Sequence, residues 1–359
     1  GRSLGLGYSI ALADLVLAPG TPSNTARSAG TIFPVISNIP ALYGSEPGPT
    51  ARRIGSFIMW TAFATTAVTS SMFVTALAPN VLALSIVKQT AGLEISWTDW
   101  WLGFLPVGCL LFLLAPLLTY WIYPPEIKRS EQVPAWAAGE LRSMNRISAV
   151  EIKMAVAVVI AVFLWITGNN SRVSLPFLGA NFIDATGVVL LVIALLLLAR
   201  VLTWHDILAH QGAWNILVWF ATLVTLADGL NRVGFIKWVA ERIAAPLGGF
   251  NPVLTMGLLL ALFFFIHYFF ASLSAHTAAV LPVILGVGAA IPGIPLAPFA
   301  LLLVYSLGLM GVISPYATGP APIYYASGFI GRTDFWKLGL IFGAVYFAAL
   351  ILVGIPWLA

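Results

Sequence analysis

A chain of 359 residues that is 60% hydrophobic and only 8% charged cannot clothe a globule in water, where domains carry about 25% charged residues. Lipid must therefore be its main solvent, and its spanning segments must be helices, because backbone groups in hydrocarbon have to pair internally. The formal net charge of +4 is scattered over segment ends rather than gathered in a stripe, which argues against a nucleic-acid partner, and the period-two alternation of a membrane barrel is absent.

Residues 5–38 read apolar, polar, apolar. The run Pro19 to Thr25 cannot continue a helix, because Pro and Gly break it, and each arm is about 15 residues, short of the ~20 that span a bilayer. A re-entrant helical hairpin with its tip inside the membrane fits this pattern, with Ser23 and Asn24 as N-caps of the second arm. Residues 54–87 form a long segment interrupted at Ala76-Leu77-Ala78-Pro79-Asn80. Residues 100–123 span again and contain the single cysteine, Cys109, read as a buried and inert thiol.

A polar stretch, 124–153, carries Lys128, Arg129, Arg142, Arg146 and Lys153, and its interspersed apolar residues predict a helix lying on the membrane surface. Spans are expected at 151–168, 183–200 and 214–230, with a second surface helix over 231–247. Residues 250–292 repeat the apolar–polar–apolar unit with a tip at Ser272-Leu273-Ser274. Residues 297–330 hold a helix broken at Ala317-Thr318-Gly319-Pro320, and 335–358 form a last span.

Hairpin, broken helix and span thus occur once before residue 124 and once after residue 250. The chain divides into a first repeat (1–123), a linker (124–153) and a second repeat (154–359). Placing the linker in the cytoplasm puts ten basic residues inside (Arg52, Arg53, Lys128, Arg129, Arg142, Arg146, Lys153, Arg200, Arg332, Lys337) against five outside (Lys88, Arg172, Arg232, Lys237, Arg242). The two hairpins then enter from opposite faces, which is an inverted repeat. The pattern opens midway through its first unit, so the sequence reads as one that lacks N-terminal helices. The fold class expected is an all-α polytopic membrane protein, an inverted-repeat transporter with two re-entrant hairpins and two broken helices.

Paired interrupted segments mark a transporter site at the bilayer midplane. Each tip places a helix N-terminus, with free N–H groups and a positive dipole end, in the membrane interior, where it attracts anions. Ser23, Asn24, Thr25, Ser272, Ser274 and Thr318 supply hydroxyls and an amide for carboxylate oxygens. Arg27 and His276 stand two residues past the tip triplets and are candidate cationic contacts. Asp14 calls for a salt partner, and Asp228, beside Asn231 and Arg232, for a structural role. An enzyme is disfavoured: His205, His210, His267 and His276 lack zinc-protease spacing, and Gly286-Val287-Gly288 lacks the context of a phosphate loop. A passive anion channel is the nearer rival.

The run Pro22 to Ser28 resembles the Ser-Asn-Thr signature of the divalent anion/sodium symporter (DASS) family. His267 to His276 and Ser314 to Pro322 resemble its citrate/tartrate carrier and plastid 2-oxoglutarate/malate translocator branch. The resemblance implies import or exchange of di- and tricarboxylates (succinate, malate, 2-oxoglutarate, citrate or tartrate) by a homodimer with an elevator motion. It places the protein in a bacterial inner membrane or, alternatively, a plastid inner envelope. It also implies a sodium site at Ser23, Asn24 and the Ala76 backbone. Sodium-coupled members keep Ser-Asn-Thr at both tips; here Leu273 replaces the second Asn, Ser274 the Thr, and Leu77 a Thr of the first break. Leucine cannot coordinate sodium, so the expectation is anion exchange without a cofactor, with sodium symport as the alternative.

Overall fold

The computed structural model describes residues 2–129, 132–144, 146–168, 182–247 and 249–358. Arg172, counted above on the outer side, and residues 130–131 and 145 of the expected surface segment lie outside them. The described residues are helical throughout, apart from connecting turns and one isolated bridge between Arg2 and Arg129. Among the described residues, six helices are long and apolar enough to cross a membrane: Ser3–Gly20, Trp97–Ile122, Ala149–Thr167, Pro252–Phe269, Leu273–Ala290 and Arg332–Leu358.

The first hairpin is α1 (Ser3–Leu17), a short turn at Ala18–Gly20, and a second arm that begins as a π-helix over Thr25–Ile32 before regaining α geometry in α2 (Phe33–Ile36). The first broken helix is α3 (Gly55–Met72), an extended break around Phe73–Leu77, and α4 (Ala78–Ala91), where Pro79 sits harmlessly in the first turn. α5 (Trp97–Ile122) follows, started by a Ser96–Asp99 capping box. Cys109 on α5 is exposed on the outer surface, not buried as expected; an apolar run does not reveal which of its faces meets lipid.

The linker contains α6 (Gln132–Ser143), largely exposed, as a surface helix would be. α7 (Ala149–Thr167) matches the expected span 151–168; α8 (Ala185–Leu198) and α10 (Gln211–Arg232) lie over 183–200 and 214–230, α8 being a shorter apolar helix, and α9 (Trp204–Ala209) is a short helix between them. α11 (Phe235–Ala244) departs from the simple surface-helix reading: Ile236, Ala240 and Ala244 are buried, and Ala240 packs closely on Gly286.

The second hairpin is α12 (Pro252–Phe265), a tight turn over Ile266–Phe269, and α13 (Leu273–Ala290). The second broken helix is α14 (Leu296–Leu309), a break through 313–320, and α15 (Ala321–Ala326). α16 (Arg332–Ala349) runs on through a π-turn, Leu350–Gly354, into α17 (Ile355–Leu358).

All 18 residues of α3 are buried, and so are ten of α14. The two helices form the centre of the molecule. They cross where Ser71 Oγ donates to the Tyr305 carbonyl at 2.7 Å and where a Cβ at Gly308 would run into Ser71. An aromatic cluster around Trp60, with Phe63, Phe335 and Phe342 at 5.1–5.5 Å, ties α16 to α3. The second arms follow the repeat: α13 packs along α4, and the first hairpin's second arm meets α15 through Phe33 and Tyr324.

One end of the molecule gathers the chain entries expected in the cytoplasm. Ser3 and Lys128, Arg52 and Glu126, Arg53 and Ile127 pair through their backbones, and Asp334 accepts from the Tyr123 hydroxyl at 2.7 Å. The opposite end holds the Lys88–Glu94 ion pair at 2.6 Å, and α14 begins beside Leu93–Asp99. α3 and α14 therefore enter the core from opposite ends.

Candidate functional site

A helix that stops inside a membrane leaves carbonyls and amides that water cannot satisfy, so each break needs partners. At the first break, the Asn80 amide donates to the carbonyls of Ser70 (2.8 Å) and Phe73 (3.2 Å), and the Trp100 indole donates to that of Ser71 (2.9 Å). The Ala76 carbonyl accepts from Arg27 Nη1 at 2.9 Å. At the second break, the Ala317 carbonyl accepts from His267 Nε2 at 2.7 Å. Each hairpin thus sends a nitrogen-rich side chain to the break of its own repeat.

Arg27 is fully buried. Its guanidinium pairs with Asp14 Oδ1 at 3.1 Å and donates to the Thr21 carbonyl and to Thr69 and Ser70 hydroxyls. Thr66 and Thr69 hydroxyls also donate to the Asp14 carboxylate. Placing an arginine at the bilayer centre costs about 2.5–3.5 kcal/mol or more, and this shell of acceptors offsets it. Asp14 is the salt partner of Arg27, and Asp228 pairs with Arg232 at 2.7 Å, as expected for both acids.

The tips themselves come together. Ser23, Asn24, Thr25, Ser272, Ser274 and Thr318 all line one cavity of about 280 Å³, with Pro22, Leu77–Pro79, Ala271, Leu273 and Gly319. Asn24 does not cap its own arm. Its amide crosses to the other repeat and donates to Thr318 Oγ1 at 2.8 Å, while Ser23 Oγ accepts from the Ala26 amide as the cap. Ser272 caps α13 in the matching way, accepting from Ala275. Gly319 is required by this meeting: a Cβ there would collide with Thr25 Oγ1. The N-termini of the first hairpin's second arm, of α4 and of α13 all reach the cavity, each with roughly half a positive charge.

Two of the eight expected contacts are elsewhere. Arg27 does not line the cavity, because every direction of its guanidinium is taken by Asp14 and the first break. His276 does not line it either; its ring lies fully buried against Phe263 and Phe270, with Nδ1 at 3.3 Å from His267 Nδ1. Since a carbonyl only accepts, His267 carries its proton on Nε2 and, when neutral, accepts from His276 at Nδ1. Both rings are then neutral, and His276 Nε2 is left as a buried acceptor without a partner among the described residues. The Ala76 carbonyl, expected among sodium ligands, is held by Arg27.

His267 and Tyr324 were not singled out from the sequence. Tyr324, fully buried, binds Ser28 Oγ at 3.0 Å and so ties the first hairpin to the second break. The signal available for His267 was its place in the second hairpin, ten residues or fewer before the tip helix.

The family model described as the sodium:sulfate symporter transmembrane region matches residues 1–359. The citrate/succinate antiporter of Escherichia coli (strain K12) is 49% identical over 359 residues, covering 100% of this chain and 72% of that protein. The L-tartrate/succinate antiporter of Shigella sonnei (strain Ss046) is 43% identical over 358 residues, covering 99% and 71%. Among solved structures, the Alcanivorax borkumensis YdaH transporter, described as having an unusual topology, aligns with a TM-score of 0.61 at 16% identity, over 99% of this chain and 81% of that one. That last likeness concerns the fold. The chain is an integral membrane transporter and not an enzyme, and it belongs to the divalent anion/sodium symporter family.

Proposed function

We propose that the protein exchanges di- and tricarboxylates, succinate among them, across a bacterial inner membrane. The observation that carries this reading is the single cavity in which both tips meet three helix N-termini. Asn24, Thr25 and Thr318 hold one carboxylate in this reading, and Ser272 and Ser274 the other, with Ser23 fixing the first tip as its cap. The names of the similar proteins, which pair succinate with citrate or with L-tartrate, agree with this substrate class.

Exchange follows from what the empty cavity must tolerate. Asp14 cancels the formal charge of Arg27, so the fixed arginine is not a free counter-charge for the substrate. The attraction comes instead from partial charges of the helix ends and from uncommitted N–H and O–H donors. An empty carrier would move those donors through low dielectric unpaired, which costs on the order of 1–3 kcal/mol for each. A second anion removes that barrier, and return is fast only when loaded. Arg27 already occupies the Ala76 carbonyl, one of the oxygens expected to hold sodium, and this favours exchange over sodium symport.

In this reading, residues 1–123 and 154–359 are the two repeats joined by 124–153. The protein acts as a homodimer, and both hairpins travel together in an elevator motion. The Asn24–Thr318 bond between repeats supports their moving as one body. The test is efflux of labelled succinate from sodium-free proteoliposomes. Strong stimulation by external dicarboxylate is expected; uptake that needs a sodium gradient and ignores internal dicarboxylate would overturn exchange.

A further inference from the structure

The end of the molecule expected in the cytoplasm draws together basic residues that lie far apart in the sequence. Residues 126–129 are clasped from two sides. The Glu126 and Ile127 amides donate to the carbonyls of Arg52 and Arg53 at 3.1 and 2.9 Å, and the Lys128 carbonyl accepts from the Ser3 amide at 3.1 Å. Arg2 and Arg129 then stand opposite each other across an antiparallel bridge. Arg2, Arg52, Arg53, Lys128 and Arg129 thus share one seam, on which Glu126 is the one acid. All five basic residues are exposed except Arg52, which is half-buried.

The seam concentrates charge of one sign. Like charges directly opposite on paired backbones destabilise the pairing, yet Arg2 faces Arg129. Arg2 is also the N-cap residue of α1, and Arg52 and Arg53 stand just before α3. Neither helix has an acidic residue in its first turn or a side-chain cap, so two positive dipole ends add to the same sign. Among the described residues, no ion pair engages any of the five. Asp334 meets the edge of the seam through the Tyr123 hydroxyl, but its own helix also carries Arg332 and Lys337. Arg52 donates to the Pro124 carbonyl at 3.2 Å and lies over the Tyr123 ring, and Arg53 donates to the Gly44 carbonyl at 3.1 Å. A guanidinium has five N–H groups, so one such bond positions it without exhausting it. Orientation in the membrane asks only that positive residues lie on the cytoplasmic side. It does not ask the backbone to press them together, and a counter-anion accounts for that.

We propose that this seam binds the phosphate headgroup of an anionic phospholipid in the cytoplasmic leaflet. α1 and α3 begin at the seam and α5 ends at it, which sets it at the depth of the headgroups. Trp121 and Ile122, the last two residues of α5, are 65% and 38% exposed, so apolar surface for acyl chains lies directly before Tyr123. An exposed tryptophan at a span end belongs to the interfacial belt. A free phosphate would have no use for that surface. Clusters of roughly four to eight basic residues beside a span attract anionic lipids, and a guanidinium matches a phosphate through two parallel N–H bonds. Arg2 and Arg129 are the gripping pair, because a phosphate between them replaces their repulsion with two attractions. The proposal is independent of the carboxylate reading of the tip cavity.

The test is native mass spectrometry of the purified full-length protein, titrated with phosphatidylglycerol or with phosphatidylcholine of the same acyl chains. Wild type should bind phosphatidylglycerol about tenfold or more tightly than phosphatidylcholine. Each basic residue near an anionic headgroup contributes about a factor of five, so Arg2→Gln/Arg129→Gln should lower phosphatidylglycerol affinity by on the order of tenfold or more and leave phosphatidylcholine unchanged. Arg2→Lys/Arg129→Lys keeps the charge and should lose less than the glutamine pair. Arg142→Gln/Arg146→Gln removes the same charge from the linker and should leave the preference for phosphatidylglycerol in place. An equal loss in the linker variant, or a preference retained in Arg2→Gln/Arg129→Gln, overturns the seam. Thermal unfolding reads the same binding on wild type alone: phosphatidylglycerol should raise the unfolding temperature above its value in phosphatidylcholine. No difference between the two lipids overturns the proposal. Equal protection by inorganic phosphate at the same concentration also overturns it, since the ligand would then be a free anion.

Discussion

Asn24→Ala isolates the residue on which the cavity turns. The side-chain amide has two N–H groups: one binds Thr318 Oγ1 at 2.8 Å, and the other is the donor assigned here to the ligand, since Asn24 lines the cavity. Removing the first bond costs about 1 kcal/mol of stability, the net worth of a neutral hydrogen bond. Removing the second costs a charge-assisted bond to a carboxylate, about 1.5–3 kcal/mol, which is roughly a 10- to 150-fold loss of affinity. The two effects separate experimentally. Thermal unfolding in detergent should fall only slightly, whereas the half-saturation concentration for succinate exchange should rise by at least an order of magnitude. Thr318→Val loses the same internal bond, so Asn24→Ala/Thr318→Val should be less destabilised than the sum of the single changes. Normal affinity in a folded Asn24→Ala protein would refute the reasoning.

Three further outcomes follow from the same geometry. Gly319→Ala should abolish exchange while leaving the protein in the membrane, because its Cβ would push Thr25 out of the meeting of the tips; wild-type exchange rates would contradict that. Arg27→Ala strands the Asp14 carboxylate in the core and should cost about 3–5 kcal/mol, read as a collapse in thermal stability, with partial recovery in Arg27→Gln/Asp14→Asn. An Arg27→Ala protein as stable as wild type would mean that the buried pair is absent. His267→Leu leaves the Ala317 carbonyl without its donor, so it should be destabilised by about 1–3 kcal/mol, and His267→Gln less, as measured by unfolding.

Much of this architecture was legible in the sequence because Pro and Gly clusters inside apolar runs have few explanations in a membrane. The tips at 19–25 and 272–274, the breaks near Ala76 and Ala317, and their inverted order all came from that punctuation. So did the six small polar residues of the cavity. The direction of side chains just past the tips did not. Arg27 and His276 share a spacing of two from their triplets, which suggested two cations facing a ligand. The second arm of the first hairpin, however, begins as a π-helix over Thr25–Ile32, and this wider turn changes which face a residue presents. Arg27 points to Asp14 and the first break instead. His276 is explained only by His267, nine residues earlier, whose position depends on the tight turn at Ile266–Phe269.

Hydropathy also fails to separate a buried face from a lipid face, since both are apolar. Cys109 lies in an apolar run and is exposed, while α11 is largely exposed yet buries Ile236, Ala240 and Ala244 along one side. Paired replacement carried more information than any single residue. Leu77 and Leu273 each look like the loss of a ligand, yet they stand at corresponding places of two repeats and both line the same cavity.

The central claim is that both tips hold one dicarboxylate between them. A structure of the protein in a lipid nanodisc with saturating succinate tests it most directly. Density for one anion should bridge the tips, with one carboxylate at hydrogen-bond distance from Asn24 and Thr25 and the other from Ser272 or Ser274. An anion bound elsewhere, with this cavity empty or the two tips separated by a packed helix, would contradict it.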